Sequence, residues 1–205
     1  LFNYSSDNAN KDIDGSMMFA LGLGDDKKLA LETTVGIISL LCQDGLGSSL
    51  FSGESCFGAD GTVGVKLHKR FSKDSFISGA AIGYSDLVRW GEASDYSTIY
   101  GVASKDFKIN NRSGLFSLGL GTGNFRSNSD VANSENSPNI FAGIGYELAP
   151  RLSLATSWNG NQLSSGFGLT PFNFPLAFTF GMTDLTDEKG DGPQYSINAG
   201  YTFTF

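Results

Sequence analysis

The stretch Gln194–Phe205, QYSINAGYTFTF, alternates apolar and polar residues over its whole length. Its odd positions carry Tyr, Ile, Ala, Tyr, Phe and Phe, and its even positions carry Gln, Ser, Asn, Gly, Thr and Thr. Because successive side chains of a β-strand point to opposite faces, this period of two predicts a strand with a different environment on each face. One face has no long charged side chain, and the other ends in aromatic rings.

The end of this stretch resembles the C-terminal assembly signal of bacterial outer-membrane β-barrels, through Asn198, Gly200, Phe203 and Phe205. The resemblance implies an antiparallel barrel in a Gram-negative-type outer membrane, inserted there by the outer-membrane assembly machinery. Three further segments, KLHKRF, GLGTGNFRS and SWNGNQLSSG, are similar to barrels of cyanobacterial envelopes. Neither resemblance implies a particular substrate.

The composition of the 205-residue chain favours a curved sheet over a helical or disordered chain. It has 27 Gly and 17 Phe, few Pro, and only 17% charged residues. The formal net charge of -7 argues against nucleic acid as a partner, because phosphate binding needs clustered Lys and Arg. No apolar run is long enough for a transmembrane helix. The opening LFNYSS carries no signal peptide and is typical of a processed N-terminus or of one that lacks a few residues.

The same alternation recurs along the chain and predicts about twelve strands in a single domain that spans 1–205. The brief connections GDDK, FSKD, INNR, LAPR and TPFNF alternate with connections that are mostly long and polar. Short periplasmic turns and longer extracellular loops are typical of outer-membrane barrels. We therefore predict an all-β, transmembrane, antiparallel up-and-down β-barrel with its C-terminus in the periplasm. The alternative is a soluble β-sandwich with the aromatic residues in its core.

This orientation predicts an aromatic girdle at each end of the strands. The predicted extracellular girdle comprises Tyr84, Tyr96, Trp158 and Tyr195. The predicted periplasmic girdle comprises Phe71, Tyr146, Phe203 and Phe205.

The polar face of the strands is predicted to line the lumen and to carry the selectivity of a pore. Its charged and titratable residues are Glu32, Lys66, His68, Arg70, Lys105, Glu147 and Arg151. We predict passive diffusion of small hydrophilic solutes or ions, with a mild anion preference near the basic members. In the alternative, Glu32 and Glu147 pair with these bases and brace a closed barrel, whose acidic outer loops bind a partner or lipopolysaccharide.

The remaining chemistry in the sequence is sparse. Cys42 and Cys56 lie in a Gly- and Ser-rich segment and favour a loop disulfide, with two buried free thiols as the alternative. The only histidine, His68, falls in the predicted lumen, which argues against an enzyme. The segment DLTDEKGDG lacks the EF-hand pattern and is interpreted as an acidic, solvated outer loop rather than a calcium loop. No metal or cofactor is predicted.

Overall fold

The computed structural model describes residues 2–4, 13–38, 57–72, 75–91, 96–188 and 192–203, and it is almost entirely β-structure. Short strands β1 and β2 precede eleven longer ones. The strands are β1 Phe2–Tyr4, β2 Ile13–Gly15, β3 Met17–Asp25, β4 Leu29–Ile37, β5 Gly61–Arg70, β6 Gly79–Trp90, β7 Thr98–Ile109, β8 Arg112–Gly121, β9 Asn139–Ala149, β10 Leu152–Trp158, β11 Leu163–Leu169, β12 Leu176–Thr183 and β13 Gln194–Tyr201. A 3₁₀ turn, Gly123–Phe125, and one short helix, α1 Asn128–Ala132, lie between β8 and β9.

All thirteen strands belong to one antiparallel sheet in which β3 to β13 follow one another in chain order. Each of these strands pairs with the next through a hairpin or a longer connection, so the all-β, antiparallel up-and-down architecture is confirmed. The turns between β3 and β4, β5 and β6, β7 and β8, β9 and β10, and β11 and β12 lie at one end, which we call the turn end. The connections at the opposite end define the loop end.

The tightest hairpin shows how local sequence sets the pairing. Asn110 and Asn111 join β7 to β8 and have φ values of 50° and 61°. Two successive positive φ angles are typical of a type I′ turn, whose twist matches that of the flanking strands, and Asn tolerates this region well. This turn fixes the register in which Ile109 lies opposite Arg112.

The two faces of the sheet differ as the alternation predicts. Phe116, Ile144 and Thr156 are register partners on three neighbouring strands, so their side chains lie on the same face of the sheet. We call it the apolar face, because most of its large side chains are apolar. Gly, Ala, Ser and Thr dominate the other, which we call the small-residue face. Among the described residues only Ala30 is a buried hydrophobic, whereas Leu118 is 50% exposed and Phe203 77% exposed. The apolar side chains therefore do not fill a core of their own.

The sheet is not closed into a barrel, in contrast to the prediction. Pairing in the described chain ends at β2 on one edge and at β3 on the other, and no Cα atom of β3 lies within 8 Å of a Cα atom of β13. These two edge strands are nevertheless consecutive, since Ser16 alone separates them. The short strand β1 pairs with both β13 and β2. Alternation in sequence specifies faces but not closure, which depends on long-range pairing of the first strands.

Strand β6 is longer than the sequence pattern predicts. Residues 85–90 continue the strand, although Tyr84 was predicted to lie at its loop end. Asp86, with φ 62°, lies in an irregularity where the register between β5 and β6 shifts. Extra residues at such an irregularity change the face on which the following side chains lie. The second half of the strand therefore does not continue the period-two pattern of the first half.

No helix in the described ranges is long and apolar enough to cross a membrane.

Candidate functional site

A charged group lies on the small-residue face near the turn end, and strand β5 supplies its basic members. Lys66, His68 and Arg70 occupy alternate positions of β5, so their side chains share one face. Glu32 lies directly opposite Lys66 in the register of β4 and β5. The Nζ of Lys66 is 2.8 Å from the Oε1 of Glu32, with the two side chains 31% and 28% exposed. Lys66, a predicted lumen base, therefore forms an ion pair with Glu32, a predicted lumen acid.

Arg70 contacts the turn between β3 and β4. Its Nε lies 3.4 Å from the Oδ2 of Asp26, and its backbone N–H donates to the Asp26 carbonyl at 2.7 Å. The Arg70 side chain is 70% exposed, so solvent screens this ion pair strongly. The backbone contact is the firmer of the two and attaches the turn to the end of β5.

His68 lies between these pairs, opposite Ala30 on β4 and Ala81 on β6. In the part of the chain that the structure describes, its Nδ1 is buried and has no hydrogen-bond partner. A cavity of about 500 Å³ borders Lys66, His68 and Arg70 and extends to Ser104 and Asp106 on β7. Basic and acidic side chains therefore line the same cavity.

Lys105 lies on the opposite face from the other predicted lumen residues, which corrects its predicted placement. Its register partner is Phe116, and the same face carries Leu118 and Ile99. The Lys105 Nζ donates to the carbonyl of Ser75 at 2.6 Å, beside the turn that precedes β6. The prediction followed the charge of this residue rather than its position in the alternation. Asp106 and Lys108 are the charged residues of β7 on the small-residue face.

Glu147 and Arg151 lie apart from the β5 group, beside a second cavity of about 430 Å³. Glu147 is 3.7 Å from a guanidinium nitrogen of Arg112, a partner that the sequence reasoning did not identify. Arg151 donates to the carbonyl of Pro171 at 2.9 Å and also to Asn173. Arg151 therefore joins two neighbouring turns, and Glu147 does not pair with the bases of β5.

An aromatic cluster occupies the small-residue face towards the loop end, and it was not predicted. Phe125 stacks on Phe141 with their centroids 4.0 Å apart, and Tyr100 packs edge-on against both. Glycines make room for these rings, because a Cβ at Gly121 would overlap Phe125. Since Phe125 belongs to the connection between β8 and β9, this connection bends over the small-residue face.

Several polar contacts hold that connection in place. The Asn124 N–H donates to the Oγ1 of Thr98 at 3.0 Å, and Thr98 is 1% exposed. The guanidinium of Arg126 lies 3.8 Å from the centroid of the Tyr96 ring. Ser127 caps helix α1 in a capping box with Asp130. The sequence signal for this capping box is the pattern Ser-x-x-Asp in the segment FRSNSD. This short pattern lies between two strands whose alternation is the stronger signal.

The predicted girdle residues fall at several levels of the sheet. Trp158 ends β10 and Tyr195 is the second residue of β13, both towards the loop end, whereas Phe71 follows β5 and Phe203 follows β13 at the turn end. Tyr146 lies near the turn end and donates to the carbonyl of Ile109 at 2.8 Å.

One residue of the predicted loop-end girdle departs from that placement, whereas Tyr96 lies at the loop end, just before β7. Tyr84 lies in the middle of β6 and not at a strand end, because the strand runs on to Trp90. The Tyr96 ring is covered by Arg126, and its hydroxyl donates to the Ser134 carbonyl at 3.4 Å.

The assembly-signal residues and the cysteines are only partly within the described chain. Asn198 and Gly200 lie on the small-residue face of β13, and the Oδ1 of Asn198 is buried without a hydrogen-bond partner among the described residues. Phe205, Cys42 and Cys56 lie outside the described residues. In the described ranges no group of three or more His, Cys, Asp or Glu residues could hold a metal ion.

Comparison of the chain with models of protein families, with curated proteins and with solved structures found no match.

Proposed function

We propose that the open sheet closes into a transmembrane β-barrel when the chain inserts into a Gram-negative-type outer membrane, and that the barrel acts as a passive channel for small hydrophilic solutes or ions. The observation that carries the proposal is the inverted distribution of its apolar residues. Ile99, Leu118 and Ile140 are each at least half exposed, and Ala30 is the only buried hydrophobic among the described residues. Such a surface is unstable in water and stable against hydrocarbon.

The proposed barrel contains twelve strands, with β2 and β3 counted as one. Strands β5 to β9 have 10 to 12 residues, which suits a tilted span of the hydrocarbon core. The two edges of the sheet meet at Ser16, and β1 bridges β13 to β2 at the loop end. In this arrangement the outer-membrane assembly machinery would read Asn198, Gly200, Phe203 and Phe205 during insertion.

The proposed lumen is lined by the small-residue face, and its charges set a weak selectivity. Lys66 is neutralised by Glu32 at 2.8 Å, so it contributes little net field to a passing ion. Arg70 is 70% exposed, so solvent screens its contact with Asp26. The proposed anion preference is therefore mild and comes mainly from Arg70.

Conductance of the purified chain in planar bilayers tests the channel. We expect steady ohmic steps, and a reversal potential in a salt gradient that shifts towards cation preference in Arg70→Gln, with a smaller shift in Lys66→Gln. Lys105→Gln is the matched control, because it removes the same charge from the apolar face and should leave the reversal potential unchanged. A correctly folded, bilayer-inserted chain that conducts no current would contradict the channel.

A second candidate is a barrel with a filled lumen that serves as a structural or interaction protein. It is favoured by the Phe125, Phe141 and Tyr100 cluster, which occupies part of the small-residue face. Its acidic outer loops, including the one that contains the exposed Asp187 and Glu188, would bind a partner or lipopolysaccharide. Silence in the bilayer together with retention of the chain on immobilised lipopolysaccharide would support this candidate.

A further inference from the structure

A trough runs along strand β6 on the small-residue face. Gly79 of β6 lies between Arg70 of β5 and Ser104 of β7, and Ala81 lies beside His68 in the same way. Because the side chains of β6 on this face are short, β6 forms the floor, and the longer side chains of β5 and β7 form the walls. This space is the cavity that borders the basic residues of β5, and we call it the β6 trough.

The two ends of the β6 trough differ. Towards the loop end, Tyr100 lies opposite Gly83, and its ring covers the position that a Cβ of Gly83 would occupy. Towards the turn end, Asp106 is the next residue of β7 on this face beyond Ser104, and it is exposed. An aromatic ring therefore closes one end of the trough, and a carboxylate lies at the other.

Two charged groups of the trough can still bind a ligand. The backbone N–H of Asp106 donates to the Oγ of Ser78 at 2.6 Å, but its carboxylate has no partner among the described residues. Arg70 contacts Asp26 through its Nε at 3.4 Å, and a guanidinium has five N–H groups, so donors remain. Lys66, by contrast, is paired with an acid at 2.8 Å. One acceptor and one donor of opposite charge are thus available on opposite walls.

The spacing of the walls limits the ligand. Strands β5 and β7 flank β6, so their backbones are about 10 Å apart, and side chains stand roughly perpendicular to a sheet. Two charge-assisted hydrogen bonds of about 2.8 Å each leave about 4 Å between the ligand's own charged groups. This separation suits the neighbouring ammonium and carboxylate groups of an α-amino acid.

We propose that the β6 trough binds a small α-amino acid as its zwitterion. The ammonium group donates to the Asp106 carboxylate, and the carboxylate accepts from the Arg70 guanidinium. A short apolar side chain then lies over Ala81 and beside Val102, which also borders the cavity. The inference rests on the proposed function, because it requires water on the small-residue face, and it names a solute class for the proposed channel.

An NMR titration of the full chain in detergent micelles tests the site without any current. His68 is the only histidine of the chain, so its imidazole resonances report on the trough alone. The probe is L-alanine at constant pH and ionic strength, and acetate and ethylammonium each carry one of its two charges. We expect a saturable shift with L-alanine. Binding of either single-charge ion should be about tenfold weaker, since one charged hydrogen bond is lost.

Variants of the two walls separate the two contacts. Asp106→Asn should weaken L-alanine binding about tenfold and leave acetate binding unchanged, whereas Arg70→Gln should weaken the binding of both. Glu147→Gln is the matched control, because it removes a carboxylate from the same face beside the other cavity and should bind L-alanine like the parent chain.

Three outcomes overturn the proposal. They are the absence of any shift with L-alanine in the folded chain, equally tight binding of acetate or ethylammonium, and unchanged L-alanine binding in Asp106→Asn. Bilayer recordings keep this result apart from that of the channel. A chain that conducts ions but does not bind L-alanine retains the channel and loses the site, and a chain that binds L-alanine without conducting does the reverse.

Discussion

Strands β3 and β8 contain nearly the same sequence and have different surroundings. Residues 19–24 read FALGLG and residues 116–121 read FSLGLG, so the two differ only where Ala20 stands in place of Ser117. Both place Phe and Leu on the apolar face and Gly on the other. Yet β3 is exposed throughout, whereas Gly119 of β8 is buried against the Phe141 ring. Local sequence determines the strand and its faces, and neighbouring strands determine burial.

The largest expected effect comes from a charge on the apolar face of either strand. Leu118→Arg and Leu21→Arg should each lower the free energy of unfolding in lipid by about 2–4 kcal/mol, because both side chains would face hydrocarbon. Ala20→Arg, one position away on the small-residue face, should change it by less than about 0.5 kcal/mol. Urea titration of the chain in lipid vesicles measures all three. Equal costs at Leu21 and Ala20 would show that the two faces share one environment.

A methyl group on the small-residue face should distinguish the two strands. Gly119→Ala places a Cβ 2.5 Å from the carbonyl oxygen of Gly101 and into the Phe141 ring, and should cost about 1–3 kcal/mol. Gly22→Ala meets nothing within 4 Å and should stabilise the chain by about 0.5–1 kcal/mol through a smaller loss of backbone entropy. The midpoints of urea unfolding in micelles test both variants. A loss of stability in both would mean that other atoms also pack against the small-residue face of β3.

The connection that covers β8, which has no counterpart beside β3 among the described residues, offers a smaller effect. Phe125→Ala removes the stacked contact with Phe141 and should lower stability by about 1 kcal/mol. Amide hydrogen exchange should accelerate in residues 122–138 and remain unchanged in β11. Phe172→Ala is the control, because Phe172 stacks on the exposed Phe174 at the turn end. Uniform acceleration throughout the sheet would show that Phe125 stabilises more than its own connection.

The smallest effect is expected where the two stretches differ. Ser117→Ala makes residues 116–121 identical in sequence to residues 19–24 and removes the 2.8 Å contact between the hydroxyls of Ser117 and Ser104. The loss should be about 0.5 kcal/mol, at the low end for a single hydrogen bond because the contact is only partly buried, and Ala20→Ser should change stability by less than that. A double-mutant cycle with Ser104→Ala measures the coupling. A coupling energy of zero would mean that the contact between Ser117 and Ser104 does not contribute to the difference in stability between the two strands.

The sequence predicted which residues share a face and in which order the strands follow one another. It did not predict whether the sheet closes or which charged side chains form ion pairs. Alternation predicted each long strand from β3 to β13, because a period of two is written in consecutive residues. Ion pairs such as Lys66 with Glu32 need the register between β4 and β5, which the alternation within each strand does not determine. Arg112 with Glu147 depends likewise on the register of β8 and β9.

Two particular errors have physical causes. Lys105 was placed by its charge, yet its position between Ala103 and Phe107 sets it on the apolar face, where its ammonium group reaches the Ser75 carbonyl. Long lysine side chains can extend to a polar group while their stems lie on apolar surface. The extension of β6 beyond Tyr84 was missed because the irregularity at Asp86 interrupts the period of two.

The fixed position of Arg126 has a consequence for how the loop end meets other molecules. Its guanidinium donates to the carbonyls of Gly123 and Glu135 and lies over the Tyr96 ring. A tryptic cut after this residue requires the side chain to enter the protease pocket, so the contacts must break first. The connection between β8 and β9 should consequently survive limited proteolysis and present antibodies with a conformational epitope that a linear peptide of the same residues does not reproduce.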